Sequence, residues 1–331
     1  MIGGLRNIVM KVLYGVGVAD RSARRHRKKG LHPVLLFHRV SPYPDPYWPP
    51  LPPHAFRQIL TLFSKYYRLL PVEELVQESS LPEDAAFITF DDAFADFQEE
   101  ALPILEELQL PATLFVPSGS IDKGEIIWPS LVDRYLESAC ETGNAPVELG
   151  GVRFEPSEIE RKGKEAAVGS FKEQLMKLPY DGQMEVRKTL EGKGFSDRIR
   201  PMTWEGLKEL PESIGLGAHT VHHPYLPSLK DEAEIEQEMK ASKERIQEMT
   251  GRRVRTFAYP FGGVDERAQA IASEHFDLSF TTEGSLMEGM GQKDKLEKQC
   301  IPRIDIHDRD PQEALLRVVG FHRKLRSFLP F

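Results

Sequence analysis

The chain has 331 residues, of which 40% are hydrophobic and 28% charged, and a formal net charge of −8. That length exceeds a minimal domain but suits an α/β barrel built as one unit, with enough apolar residues for a sizeable core. The acidic balance argues against a general nucleic-acid binder, and two cysteines, Cys140 and Cys300, are too few for a disulfide framework or a cysteine-based zinc site.

The first stretch, MIGGLRNIVMKVLYGVGVAD, is mildly apolar but broken by Arg6 and Lys11. It offers no signal-peptide core and falls short of the ~20 apolar residues of a membrane span. RSARRHRKKG at 21–30 then holds six Lys or Arg. Residues 1–30 read as a basic helical extension, either solvated or lying on an anionic membrane surface. The expected location is cytoplasmic, with peripheral contact at the inner membrane face as the second possibility.

HPVLLFHRV (32–40) suits a buried strand ending at His38 and Arg39. SPYPDPYWPPLPP (41–53) is seven-thirteenths proline, which rules out helix and central strand and leaves an ordered loop or flap. HAFRQILTLFSKYY has helical spacing, a short strand follows near RLLPV, and VEELVQES reads as helix. AAFITF (85–90) is a strand that delivers two adjacent carboxylates, Asp91 and Asp92, whose alternation on a strand would send them to opposite faces. FADFQEEALPILEELQL follows as a helix interrupted or started afresh near Pro103, and PATLFVPSG as another strand. This alternation predicts a parallel sheet or barrel with its functional ends at the strand C-termini.

Residues 140–200 are polar and mostly helical in pattern, an inserted subdomain without chemistry of its own. The rhythm then resumes. MTWEGLKEL is a helix with Thr203 as N-cap, SIGLGAHT a strand, and DEAEIEQEMKASKERIQEMTG a long helix stopped by Gly251. RTFAYPFGG, FDLSFTT and IPRIDI are strands, with DERAQAIASEH as helix among them, and a helix near QEALLRVVGFHRKLR closes the chain.

GAHTVHHPYL (217–226) carries His219 and His223 four residues apart. On a helical turn such a pair shares one face and can share a metal, and a carboxylate from another strand end is the simplest third ligand. Either motif alone is weak, since an Asp pair at a strand end is often an N-cap. Their joint appearance at the ends of two β-units is stronger.

TFDD, HTVHHP and FAYPFGG, in this order, resemble the NodB-homology polysaccharide deacetylases, the fourth carbohydrate esterase family. The resemblance runs through LLFHRV, ALPILEELQLPATLFVPSG, MTWEGLKELPESIGLGAHT and SKERIQEMTGRRVRTFAYPFGG, covering most of 31–310. It implies a distorted (β/α) barrel over 31–331 with a helical insertion at about 140–200. It implies a metal triad of Asp92, His219 and His223, with Asp91 as general base toward the attacking water. It also implies a general acid, His38 in one branch of the family or His307 in the pattern of another. A divalent ion is expected, zinc first, with cobalt, nickel or manganese also compatible.

The family's acidic pair is usually followed by Gly, whereas this chain has Ala93. The third motif often carries an Arg that pairs with the base, but Ala258 stands there, and Arg303 in IPRIDI is the candidate to supply that charge. Tyr47, Trp48, Tyr259 and Phe261 are candidates for a sugar groove or for packing, and His222 is expected to face away from the metal. The activity implied is removal of an N-acetyl or similar small acyl group from an amino sugar in a polysaccharide or lipid-linked glycan. The alternatives are an amidohydrolase or deformylase acting on a non-carbohydrate C–N bond, and a catalytically silent glycan-binding module.

Overall fold

The structure, a computed structural model, describes residues 14–15, 17–76, 81–142, 145–193, 199–288 and 297–321. The readings placed on 1–13, on the end of VEELVQES and on the chain beyond 321 lie outside the described residues.

Seven strands lie side by side in the order Leu278–Phe280, Thr256–Ala258, Ile214–Ala218, Ala112–Val116, Ala85–Phe90, Val34–Phe37, Ile304–Asp305. Arg68–Leu70 adds to the first half of Ala85–Phe90. All these pairings are parallel. Every residue of Val34–Phe37, Ala85–Phe90 and Ala112–Val116 is buried, which is why those segments read as unbroken apolar runs: helices cover one face and the curl of the sheet closes over the other. The curl nearly brings the edges together. Ile301 bridges to Phe280 at one edge, and three residues later Ile304 pairs with Leu35 at the other. The sheet is thus a distorted barrel of the (β/α) kind, and its strand C-termini converge on one rim.

The helices form where the spacing and end signals direct. Pro53–Phe63 starts on a proline, whose missing N–H costs nothing in the first turn, and buries Ala55, Phe56, Ile59, Leu60 and Phe63. Glu232–Thr250 starts at Asp231, whose carboxylate accepts from Glu234 N–H, and ends at Gly251 with φ 70°. Thr203 caps Trp204–Glu209 by accepting from Gly206 N–H at 3.1 Å. The helix after the Asp pair starts afresh near Pro103, as expected: Phe97–Ala101 forms a wide π turn, and the regular helix Leu102–Glu107 follows with Pro103, which has no N–H to give, in its first turn. The described part of VEELVQES, up to Val76, forms a 3₁₀ turn, Val72–Leu75.

Two segments that were read as appendages are docked. The helix Val18–Lys28 buries Ala19 and Ala23 in the main core, and Arg27 Nη1 donates to Tyr66 O at 2.9 Å. The insertion opens with a hairpin, Val147–Leu149 on Val152–Phe154, before the helices Ser157–Lys162, Lys164–Met176 and Tyr180–Leu190. With the helix Trp128–Thr142 it forms a second apolar cluster around Trp128, Phe154 and Phe171.

The proline-rich stretch has no helix or strand from 41 to 50 and is ordered by one carboxylate. Asp45 accepts from Tyr47 N–H and Trp48 N–H and pairs with Arg39 at 2.9 Å and Arg134 at 2.6 Å, all but Trp48 buried. Burial alone would push its carboxyl up, but those donors outweigh it and hold Asp45 below the ordinary carboxylate value. The flap is therefore a fixed wall, with Trp48 turned over the rim.

Candidate metal centre

The Ala85–Phe90 strand ends abruptly. Asp91 N–H still donates to Phe37 O at 3.0 Å, but Asp92 and Ala93 take φ of 73° and 48°, the left-handed region that non-glycine residues avoid. The two carboxylates are separated by this sharp turn rather than by strand alternation, a correction to the sequence-based picture. Ala93 occupies, at some strain, a position for which glycine is better suited.

Asp91 faces Arg303. The guanidinium lies 2.6 Å from Oδ1 and 2.7 Å from Oδ2, a two-pronged contact with both partners buried. Arg303 is itself held by Thr281 O at 3.1 Å and by the Thr89 hydroxyl at 3.3 Å, between the rings of Phe115 and Phe280. Burial pushes the Asp91 carboxyl up, but Arg303 and His219 outweigh it and leave it below its ordinary value.

Asp92 faces the two histidines. Its Oδ1 is 3.4 Å from Nε2 of both His219 and His223, and the three donor atoms lie within 4.8 Å of one another, all buried. That oxygen has no hydrogen-bond partner: 3.4 Å contacts off alignment do not satisfy it. An orphaned buried carboxylate oxygen facing two imidazole nitrogens is what a cation-binding site needs, and one carboxylate with two imidazoles is a donor set that would suit a divalent ion. Burial raises the Asp92 carboxyl, yet the imidazoles lower it further, so it is ionised as a ligand must be.

The histidines do not sit on a helical turn. Residues 219–223 form an irregular loop after Ile214–Ala218, with φ of 64° at Thr220 and 57° at His223. Side chains build it. Thr220 Oγ1 accepts from His223 N–H at 3.0 Å, Trp128 Nε1 donates to His223 O at 3.0 Å, and His219 Nδ1 meets Ala258 O at 2.7 Å. The last contact leaves Nε2 of His219 for the cation. Beneath the loop Glu238, from Glu232–Thr250, accepts from Val221 and His222 N–H at 2.9 Å each, from Tyr180 OH at 3.0 Å and contacts His222 Nδ1 at 2.7 Å. His222 is thus turned away from the triad.

Asp91, Asp92, His219 and His223 share a cavity of about 310 Å³ with His38, Trp48 and Phe261. His38 follows the Val34–Phe37 strand, with its ring 5.2 Å from that of Trp48. His307 has a side chain 62% exposed, sits against Asp305 and Arg317, and is not among the cavity-lining residues. Tyr47 and Tyr259 are buried packing residues, so of the four aromatics only Trp48 and Phe261 face the cavity.

Sequence reasoning missed Glu238, Asp45, and a wall of the cavity made by Ser130, Asp133, Lys172 and Glu173. Glu238 had a signal: it falls in the buried stripe Ile235, Met239, Ser242, Ile246, where an acid needs partners. Lys172 and Glu173 belong to the insertion that had been given no chemistry, which therefore does reach the site.

A polysaccharide deacetylase family model matches residues 78–162 and 188–276, over half of the chain and both motif regions. The chain belongs to the polysaccharide deacetylase family. Residues 163–187, inside the insertion, fall outside the family's common pattern. Solved structures of similar shape include the Streptococcus pyogenes deacetylase PplD in complex with acetate, with a TM-score of 0.57 and 19% identity over 87% of this chain and 98% of that one. BC0361, a polysaccharide deacetylase from Bacillus cereus, gives 0.56 and 19% over 87% and 69%. IcaB from Ammonifex degensii gives 0.54 and 19% over 87% and 97%. At that identity the likenesses establish the fold. Comparison with curated proteins gives no match.

Proposed function

We propose that this chain is a metal-dependent hydrolase that removes an N-acetyl group, or a similar small acyl group, from an amino sugar in a polysaccharide or lipid-linked glycan. The observation that carries the reading is the division of labour between adjacent carboxylates. Asp92 completes a triad with His219 and His223, while Asp91 stands 3.9 Å from His219 Nε2 and is pinned by Arg303. A divalent cation, zinc first, held by Asp92, His219 and His223 would supply a Lewis acid for the acyl carbonyl and acidify the attacking water.

The chain's own residues do the rest. Arg303 keeps Asp91 ionised and fixes its plane, so its carboxylate is ready to take the proton of that water. His38, on a neighbouring strand end and lining the same cavity, is placed to protonate the departing amine, whereas His307 sits outside it. Trp48 and Phe261 exclude bulk water and offer faces for a sugar ring.

Acetate release from N-acetylated hexosamine oligomers tests the reading. Release should vanish on chelation and return when a divalent metal is added back. Metal binding without release would favour a silent glycan-binding module or a non-carbohydrate amide substrate.

We also propose peripheral contact with an anionic membrane face at the cytoplasmic side. Arg21, Arg24, Arg25, Lys28 and Lys29 are exposed on or just after a helix whose small residues are turned inward, and no helix among the described residues is long and apolar enough to cross a membrane. Flotation with phosphatidylserine vesicles, abolished by raised salt, is the expected result; equal flotation with neutral vesicles would contradict it.

A further inference from the structure

The loop that carries His219 and His223 is strained and held mostly from outside. Residues 219–225 contain no helix or strand, Thr220 and His223 keep left-handed φ of 64° and 57°, and Pro224 has no N–H to donate. Non-glycine residues stay in that region only where their surroundings over-determine them. Glu238 holds the loop from beneath, and the N–H groups of Ser118 and Gly119 donate to Thr220 O and Val221 O at 3.2 Å and 3.0 Å.

The stretch from His222 to Ser228 is held by the insertion. Its helix Tyr180–Leu190 brings Tyr180, Gln183 and Arg187 to the loop, and steps of three and four residues place them on one face. Gln183 is fully buried. Its Oε1 accepts from Tyr225 N–H at 3.2 Å, while Nε2 lies 2.8 Å from Ser228 Oγ and 2.9 Å from both Met176 O and Leu178 O. Two carbonyls that only accept thus fix which end of the amide meets Tyr225. Tyr180 OH donates at 3.0 Å to Oε1 of Glu238, the carboxylate whose Oε2 takes the Val221 and His222 N–H groups. Arg187, 5% exposed and tied to Glu191 at 2.6 Å, reaches His222 O at 3.4 Å.

Packing of this helix does not call for such a stripe. Val186 and Leu190 already bury their side chains in the second apolar cluster. Polar groups at 180, 183 and 187 add direction rather than apolar area, and a satisfied buried network rigidifies and specifies one geometry.

Resting on the metal-dependent reading above, we propose that Tyr180, Gln183 and Arg187 are positioning residues that clamp the exit of the histidine loop, so that the insertion sets the geometry in which His219 and His223 meet a divalent cation. All three lie in 163–187, outside the family's common pattern, so the clamp belongs to this chain's insertion.

The test is titration of the metal-free, full-length protein with Co2+, whose visible absorption follows coordination geometry and so reads both affinity and ligand arrangement. Gln183→Met and the milder Tyr180→Phe touch no ligand atom. Gln183→Met should weaken Co2+ binding by roughly 10- to 100-fold and shift the band, with Tyr180→Phe changing both in the same direction. Val186→Ala is the control for fold alone: it removes methyl groups from the apolar cluster and should lower the melting temperature with the cobalt affinity and band of the parent. Equal weakening by Val186→Ala, or parental affinity and band in the other two variants, would overturn the clamp. Acetate release by the wild-type protein is scored separately. Weakened cobalt binding in the two variants with no release by the wild type keeps the clamp and removes the hydrolase reading. Release with unaltered cobalt binding removes the clamp alone, and a parent that binds no cobalt removes both.

Discussion

Asp91 and Asp92 are chemically identical neighbours with different surroundings, and the surroundings assign their work. Arg303 occupies both oxygens of Asp91, so that carboxylate is fixed and charged but turned from the ligand set; Asp92 keeps an unsatisfied oxygen toward two imidazoles. Asp91→Asn preserves the shape while removing the proton acceptor. Acetate release should fall by about 10²- to 10⁴-fold, with metal content still one ion per chain by elemental analysis. Retained activity would show that another group takes the proton. At this scale the sequence was informative where chemistry is tied to rare residue types at fixed spacing, as with the Asp pair and the two histidines. It was silent on geometry set by tertiary contact: the irregular loop at 219–223 is held by Thr220 within it and by Trp128 and Glu238 from two helices, and the turn at Asp92 and Ala93 is followed by bonds to the distant Arg200 and Met202 backbone.

The elements each bring a part of the site, and the helix Glu232–Thr250 does so from beneath. Glu238 ties the backbone at Val221 and His222, between the two metal-ligating candidates, to the buried face of a capped helix. Glu238→Gln keeps the side-chain volume but weakens these charge-assisted bonds. Metal affinity measured by competition with a chromogenic chelator should drop by roughly 10- to 100-fold; unchanged affinity would mean that the loop holds itself. Strand positions were legible because a parallel sheet buried on both faces yields continuous apolar runs, and helix starts were legible where Asp231, Pro53 and Thr203 mark them. The proline-rich flap was legible only as an exclusion. Its order depends on Asp45 meeting Arg39 and Arg134, and Arg134 is far away in sequence.

At the scale of the whole molecule, acidic groups buried around the rim couple stability to pH. Asp96 meets Arg39 through Oδ2, but its Oδ1 has no partner, and burial pushes its carboxyl up to about 6 from an ordinary 3.8. Between those two values the unfolded chain has released a proton that the folded chain keeps, so this group's contribution to stability falls as pH rises through the window and is level above it. Asp96→Asn removes the titration. The stability of the variant relative to the parent should therefore climb between pH 4 and pH 7, by on the order of 3 kcal/mol at most, as read from denaturation midpoints; a constant offset would contradict the assignment.

The distorted barrel was foreseeable as a whole because its β-α rhythm is local, whereas the reach of the insertion into the cavity was not. Lys172 meets Asp133 only once two helices far apart in sequence are packed together. The account as a whole stands on one cation position. Anomalous diffraction at the zinc edge, from crystals of the full chain grown with zinc, tests it most directly. A single strong peak about 2.0–2.2 Å from an Asp92 oxygen and from Nε2 of both His219 and His223 is the predicted result. A map with no peak among those three side chains, or with zinc bound only elsewhere, would contradict it.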